Sequence, residues 1–320
     1  MRRLVVVGAC YLDTILTVPH FPQEDGKQRA KSLVRRRGGN GPNTLEVLQQ
    51  LLAVSTHSDL KLSLCSVLPA AQSHDSHHIR MSLEPDVDCT NCIYREDSTE
   101  PASSYIIRSE QSSSRTIVNY NELPEMTVAE FCVRADALAN EACWYHFEGR
   151  IPDVTLACIR YIRQRYPQVR ISVEVEKAGR EGLQELAAEA DVVFYSRLWA
   201  THAGYVSAEE CVRSQSSLVR QNALLICTWG AGGVSAFHTA SKAYAYRAAY
   251  KVRGAVVVDT IGAGDTFIAG MLFACLERPR WTVSQQLSFS TELAGKKVFR
   301  DGFADLGEDI RDSLKSFVVG

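Results

Sequence analysis

At 320 residues the chain has room for one large α/β domain with an appendage, or for about two domains. Its 46% apolar and 22% charged content is that of a globular protein, and a formal net charge of -2 argues against a dedicated nucleic-acid or anionic-membrane surface. No apolar run approaches the roughly 20 residues of a membrane-spanning helix. The ten cysteines are scattered, and Cys10, Cys65, Cys143, Cys227 and Cys275 sit in apolar contexts, as free thiols of a reducing, cytoplasmic compartment do.

Residues 4–8 predict a buried first strand. Arg2-Arg3 ahead of it faintly resembles the start of a signal peptide, but Asp13 ends the apolar run early and no small-residue cleavage pattern follows. A helix is expected over residues 43–52, with Pro42 at its first position and Leu45, Leu48, Leu51 and Leu52 on one side. Further strands are expected at 62–67, 144–148, 171–176, 192–195 and 224–228, with helical stretches at 156–165, 181–189 and 208–220. Such alternation is that of a mainly parallel sheet covered by helices. Two segments break the rhythm. Runs at 14–18, 28–37, 94–97, 103–108 and 115–120 read as antiparallel hairpin strands of a small second sheet, a lid discontinuous in sequence. The chain then divides into an α/β body (1–11, 38–91 and 121–320) and a lid (12–37 and 92–120). After Phe299 only an amphipathic tail at 310–318 is periodic.

The stretch Val257-Val258-Asp259-Thr260-Ile261-Gly262-Ala263-Gly264-Asp265 reads as a strand end, a two-glycine turn and a carboxylate opening a helix, with Phe267, Met271, Ala274 and Cys275 on one helical face. Glycines admit a close anion, and a helix N-terminus offers unpaired N–H groups to a phosphate. Asp265 is redundant for anion binding but useful as a proton acceptor for a hydroxyl attacking that phosphate. A helix cap is the plain alternative, and both stay open on local chemistry.

Arg37-Gly38-Gly39-Asn40-Gly41-Pro42-Asn43 combines close backbone approach with amides that both donate and accept, which suits a polyol; a capped Gly/Asn turn is the alternative. Asp13 ends the first apolar segment and Asp25 lies in a turn-like run. Either carboxylate suits vicinal hydroxyls, and a turn carboxylate is commonly structural. Glu174 and Glu176 alternate with apolar residues, so they either reach the carboxyl end of a sheet, where they order Mg²⁺ through water, or lie solvated at an edge. Glu148 ends another strand and either flanks the same site or is solvated. Thr228-Trp229-Gly230-Ala231-Gly232-Gly233 follows a strand and can bend around a nucleotide. The cluster His74-Asp75-Ser76-His77-His78 reads as a solvated loop or helix start, Cys89-Thr90-Asn91-Cys92 is half of a zinc site at most, and Gly8-Ala9-Cys10 does not extend to a dinucleotide motif.

Taken together these residues resemble the ribokinase/PfkB carbohydrate kinase family, and within it the ketohexokinases. The signature DTxGAGD stands at Asp259–Asp265 and the amino-terminal signature at Gly38–Asn43. Similar wording recurs in Ser113-Ser114-Arg115-Thr116-Ile117, His146-Phe147-Glu148-Gly149-Arg150, Ser172-Val173-Glu174-Val175-Glu176-Lys177, Asp191-Val192-Val193-Phe194, Ser207-Ala208-Glu209-Glu210 and Ala294-Gly295-Lys296-Lys297. The resemblance implies a Rossmann-like, ribokinase-like α/β domain with a β-sheet lid, and ATP with Mg²⁺; it admits K⁺ as a further cation. It implies Asp265 as the base and Gly262, Ala263 and Gly264 as the anion hole. Asp13, Asp25, Gly39, Asn40, Asn43 and Arg115 match sugar-contacting positions, with Glu148 flanking them. Arg115, Ser196, Thr228, Trp229, Gly230, Gly233, Gly262 and Gly264 fall on the nucleotide side, and Glu174 and Glu176 are left for the metal. A homodimer joined through the lid is implied, as is a sugar substrate, with a ketohexose such as fructose first. A ribokinase- or nucleoside-kinase-like enzyme, or a catalytically silent binding protein, is the alternative. Two departures stand out. Ser196-Arg197-Leu198-Trp199 replaces the NxxE found in many members, and Pro69-Ala70-Ala71-Gln72-Ser73-His74-Asp75-Ser76 replaces a glycine-bearing loop.

Overall fold

Alternation at the amino terminus sets the architecture. In β1 (Arg2–Val7), Leu4 and Val6 enter one apolar core and Val5 and Val7 another, and all four are buried. A strand buried on both faces needs helices on both sides of its sheet. The computed structural model, which describes residues 2–55, 58–112, 114–252 and 254–316, has that arrangement. Ser113 and residues 317–320, which include the end of the expected tail, lie outside the described residues.

After β1 come β2 (Tyr11–Val18), β3 (Ser32–Gly38), α1 (Asn40–Ala53), β4 (Leu60–Cys65), β5 (Val67–Pro69), α2 (His74–Met81), β6 (Val87–Asp88), β7 (Ile93–Arg95), β8 (Ser103–Ser109) and β9 (Arg115–Tyr120). The chain continues with α3 (Val128–Ala137), β10 (Ala142–Phe147), α4 (Pro152–Arg165), β11 (Arg170–Val175), α5 (Leu183–Glu189), β12 (Val192–Tyr195), α6 (Arg197–His202) and α7 (Ala208–Gln215). It closes with β13 (Leu224–Thr228), β14 (Val234–His238), β15 (Ala243–Arg247), α8 (Ala263–Glu277), α9 (Val283–Val298) and α10 (Leu306–Ser316). The main sheet runs β15-β14-β13-β12-β11-β10-β1-β4-β6, parallel except for the antiparallel edge β13-β14-β15. One core packs α1, α8, α9 and α10 on the sheet, and the other packs α3, α4, α5 and α7. Among the described residues no helix is long and apolar enough to cross a membrane.

A second sheet runs β3-β2-β8-β9. Its two antiparallel pairs are joined by a parallel pairing of β2 with β8, which places Asp13 opposite Ser104 and Ser104 opposite Asn119. The run expected at 94–97 is not part of it: β7 pairs in parallel with β5 as a separate two-stranded sheet. The strand expected over 62–67 breaks at Ser66 into β4 and β5, and the helix expected over 208–220 ends at Gln215. The His74 cluster opens α2, where the Ser73 hydroxyl accepts the Ser76 N–H at 3.1 Å. Cys89 and Cys92 are buried free thiols.

Three differences concern the site directly. Helix α1 begins at Asn40, three residues earlier than expected, so Pro42 is its third residue. Gly39, ahead of it, has φ 101°, and a Cβ there would lie 2.2 Å from the Ala9 carbonyl oxygen. No strand forms at Val257-Val258; the extended run instead bonds to α9, where the Val258 and Asp259 N–H groups donate to the Val298 carbonyl. Helix α8 is buried on every side from Asp265 to Ala274, not on one face, because α1 and α9 enclose it against the sheet.

Candidate active site

The parallel strands β1, β10, β11, β12 and β13 point their carboxyl ends at one cleft, the usual ligand position in open α/β sheets. Helix α8 enters the cleft with its N-terminus. Gly262 precedes it with φ 75°, and a Cβ there would strike the Phe303 ring at 2.3 Å. The first amides of a helix lack intrahelical partners. Among the described residues Gly262 and Gly264 N–H groups carry no protein hydrogen bond, whereas the Ala263 N–H reaches the Thr260 carbonyl at 3.3 Å. Of the three amides expected to form an anion hole, Ala263 is thus already engaged.

Asp265 is the third residue of α8 and is buried. Asn43, one turn into α1, donates its side-chain N–H to Asp265 Oδ2 at 2.8 Å, and the Thr44 hydroxyl donates to the Asp265 carbonyl at 3.3 Å. Burial, and then the nearby Glu174 charge, hold the Asp265 carboxyl well above the usual range, only partly opposed by Asn43. A raised carboxylate pKa makes a stronger base.

Three further carboxylates close in from the sheet. The His146 ring bridges Ser172 Oγ at 2.8 Å and Glu174 Oε1 at 3.1 Å, and the Trp144 indole N–H donates to the same Ser172 hydroxyl at 2.8 Å. Burial pushes the His146 pKa down to about 3, so the ring is neutral, one nitrogen facing Ser172 and the other Glu174. The Asn40 amide donates to Glu174 at 2.8 Å and to Glu176 at 2.9 Å, tying α1 to β11. Burial and the Glu176 charge raise Glu174 to about 8. Burial and Glu174 raise Glu148 to about 7, although the Ala9 N–H donates to it at 2.9 Å.

The cleft has a volume of about 500 Å³. Asp13, Gly39, Asn40, Asn43, Arg115, Glu148, Glu174, Glu176, Ser196, Thr228, Gly262, Gly264 and Asp265 all line it. Asp13 is buried, and burial raises its pKa against the pull of Ser104, Arg36 and Arg37. Arg115 spans from the second sheet to the Thr260 hydroxyl at 2.9 Å. Ser196 caps α6 and donates to the Glu176 carbonyl at 2.6 Å. A second cleft of about 640 Å³ is lined by Gly230, Gly233, Ala263 and α9, and shares Thr228, Thr260, Gly264 and Phe267 with the first.

Two expected contacts are not brought in. Asp25 is exposed at φ 59° in a turn closed by the Gly26 N–H on the Gln23 carbonyl. Trp229 lines neither cleft; its N–H bonds the Gly233 carbonyl and its ring lies under Arg197 at 5.7 Å. Conversely, Tyr11, Asn119, Arg150 and Lys177 line the first cleft without having been singled out in sequence. Arg150 bonds the Tyr11 hydroxyl at 3.0 Å, and Lys177 lies 3.2 Å from Glu176. Where NxxE would place its glutamate, Trp199 packs on Tyr195 with ring centroids 5.0 Å apart. That position is a half-buried ring packed against the core.

A doubly covered α/β sheet, a glycine turn at a helix N-terminus and a buried carboxylate beside it are the parts that phosphoryl transfer to a hydroxyl acceptor requires. The sequence pattern described as pfkB family carbohydrate kinase matches residues 1–308. The ketohexokinase of Mus musculus is 31% identical over 311 residues, covering 94% of this chain and 98% of that one. A ribokinase of Arabidopsis thaliana complexed with ribose and ATP superposes with TM-score 0.77 at 17% identity over 99% of both chains. A ribokinase of Cryptococcus neoformans in complex with ADP gives 0.71 at 16% identity over 98% of this chain and 100% of that one. The chain belongs to the pfkB family of carbohydrate kinases, ATP-dependent enzymes with an alcohol group as acceptor.

Proposed function

We propose that the chain phosphorylates a ketohexose such as fructose at one hydroxyl, with ATP as donor. The observation that carries the chemistry is Asp265, held by Asn43 beside the free Gly262 and Gly264 amides. The similarity to mouse ketohexokinase supports the sugar class. In this reading Asp13, Asn40, Asn43 and Glu148 take the sugar hydroxyls, since carboxylates accept and amides do both. Asp265 takes the proton of the attacking hydroxyl late in a loose transition state. The two amides stabilise charge on the transferring phosphoryl oxygens. The apolar cleft takes the nucleotide base, with Thr228, Gly230 and Gly233 along its wall.

Mg²⁺ fits Glu174 and Glu176. They are hard oxygen donors that repel one another, and a cation relieves that repulsion better than the single Asn40 amide between them. Among the described residues no group of three or more His, Cys, Asp or Glu side chains could hold a metal, so the ion would be held through water and substrate phosphates. When bound it supplies positive charge to those phosphates.

The sheet β3-β2-β8-β9 acts as a lid, and Arg115 bonded to Thr260 is its latch on the phosphate turn. Leu33, Tyr105 and Val118 on this sheet are exposed, which supports a homodimer joined through it. The test is a panel of sugars and nucleosides assayed with Mg·ATP. Turnover highest on fructose or another ketohexose is expected. Preferential turnover of a pentose or a nucleoside would overturn the substrate class, and binding without turnover would overturn the chemistry.

A further inference from the structure

Lys297, on α9, is fully buried and lines neither cleft. A buried ammonium is costly unless all its protons find partners. Here Nζ donates to Asp259 Oδ2 at 2.8 Å and to the Asp259 carbonyl at 3.1 Å, and lies 5.3 Å from the centre of the Phe303 ring. Asp259 opens the catalytic turn. Its Oδ1 accepts the Ile261 N–H at 2.9 Å, and its Oδ2 lies 3.4 Å from the Gly302 N–H and 3.9 Å from Arg36 of β3. Phe303 in turn abuts Gly262, and its carbonyl accepts the Gln50 side-chain N–H at 2.9 Å. The backbone between Asp259 and Gly262 is therefore clamped from behind by one ammonium and one ring. Two of the bonds that shape it, those to the carbonyl and the carboxylate of Asp259, come from that one ammonium.

We propose that Lys297 is a positioning residue for phosphoryl transfer: a resident cation that fixes the Asp259–Gly262 turn so that the Gly262 and Gly264 amides face the transferring group. This rests on the reading of those amides as the anion hole. A purely structural ion pair between α9 and the turn is the competing account. It predicts that loss of Lys297 lowers stability and all ligand binding together.

The test uses the full-length chain. Lys297→Met should keep sugar KM within about threefold of wild type while kcat falls about 100-fold, the scale set by small misplacements of reacting groups. Lys297→Ala leaves space behind the turn, and its kcat should recover about tenfold or more with added propylammonium or K⁺ but not with tetramethylammonium at equal ionic strength. Recovery is read relative to the response of wild type to the same three salts. If Lys297→Met unfolds, the pair Asp259→Asn with Lys297→Met leaves no unpaired buried charge, and it should melt as a folded protein with the same loss of kcat. Wild-type kcat in either variant, or a folded Lys297→Ala that no small cation improves, overturns the proposal. Neither result touches the assignment of substrate, which only the sugar panel on the wild-type enzyme can overturn.

Discussion

The two clefts that meet at Gly264 are built from opposite chemistry. The first gathers Asp13, Glu148, Glu174, Glu176 and Asp265 from four elements or their ends: β2, β10, β11 and α8. Asp13, Glu148, Glu174 and Asp265 are held above the ordinary carboxylate range, chiefly by burial. The second is walled by Val234, Ala249, Tyr250, Val257, Ala294 and Val298, and among the described residues that line it none is a carboxylate. The first is electrostatically strained until hydroxyl donors and cations enter it, while the second is complete as an apolar slot. On the reading proposed above, chemistry and nucleotide binding are thereby separated in space. The largest effect should come from the strained side. Asp265→Asn is expected to lower kcat by about 10³-fold while leaving sugar affinity nearly unchanged, because Asn can still take the Asn43 contact but cannot take a proton. Steady-state kinetics with a parallel calorimetric titration of sugar check this, and turnover within tenfold of wild type would remove Asp265 as base.

The same strain should appear as a dependence of stability on pH. Glu148 and Glu174 are raised to about 7 and about 8, so the folded chain keeps protons that the unfolded chain has lost above about pH 4.5. Their contribution is fully present below the unfolded value and is lost as pH rises through the folded ones. Asp259 behaves oppositely: burial raises it, but Lys297, the Ile261 N–H and Arg36 together bring it below its ordinary value, so its contribution is lost in acid. The ligand-free melting temperature should therefore be highest near pH 5 and fall toward pH 8, by an amount on the order of 2–4 kcal/mol in unfolding free energy. If Asp265 is the base, its raised pKa means that activity rises with pH as this carboxyl ionises, opposite in sign to the stability. Glu174→Gln should flatten the alkaline fall in stability. Melting curves from pH 4 to 9 that stay flat in wild type would show that the carboxylates are not mutually strained.

The contrast also separates what sequence could reveal from what it could not. The glycine turn and Asp265 form one contiguous run, Asp259 to Asp265, so a local reading of glycines and a helix start is enough to single them out. Asn40 and Asn43 likewise share one turn of α1. The carboxylate crowding was not legible, because Glu148 and Glu174 lie on neighbouring strands but far apart in the chain, and their repulsion exists only after the sheet forms. Arg150 and Lys177 were missed for the same reason. The apolar slot was missed with α9, whose helical period is blurred by polar Gln286 and Ser290, both buried, the serine hydroxyl donating to the Gln286 carbonyl at 2.8 Å. Strands β14 and β15 went unread beside it, so the nucleotide side rested on the loop after β13 alone. That loop misplaced Trp229, an aromatic residue that the fold uses for packing on the core.

The smallest expected effect lies on that apolar side and tests whether the clefts are functionally separate. Gly295 of α9 lines the slot, and a Cβ there would lie 2.4 Å from Tyr250 Cβ, so a larger side chain must push Tyr250 aside or fill the slot itself. Gly295→Val is expected to raise the KM for ATP about tenfold and to leave the KM for sugar unchanged, the loss of one shaped apolar contact being worth about 1–3 kcal/mol. The two clefts share Thr228, Thr260, Gly264 and Phe267 as lining. None of these carries a carboxylate, and only Gly264 adjoins one, Asp265, in the chain. A rise in both Michaelis constants together would mean that α9 transmits the change through Lys297 and the Asp259 turn, and the separation of binding from chemistry would fail at that link.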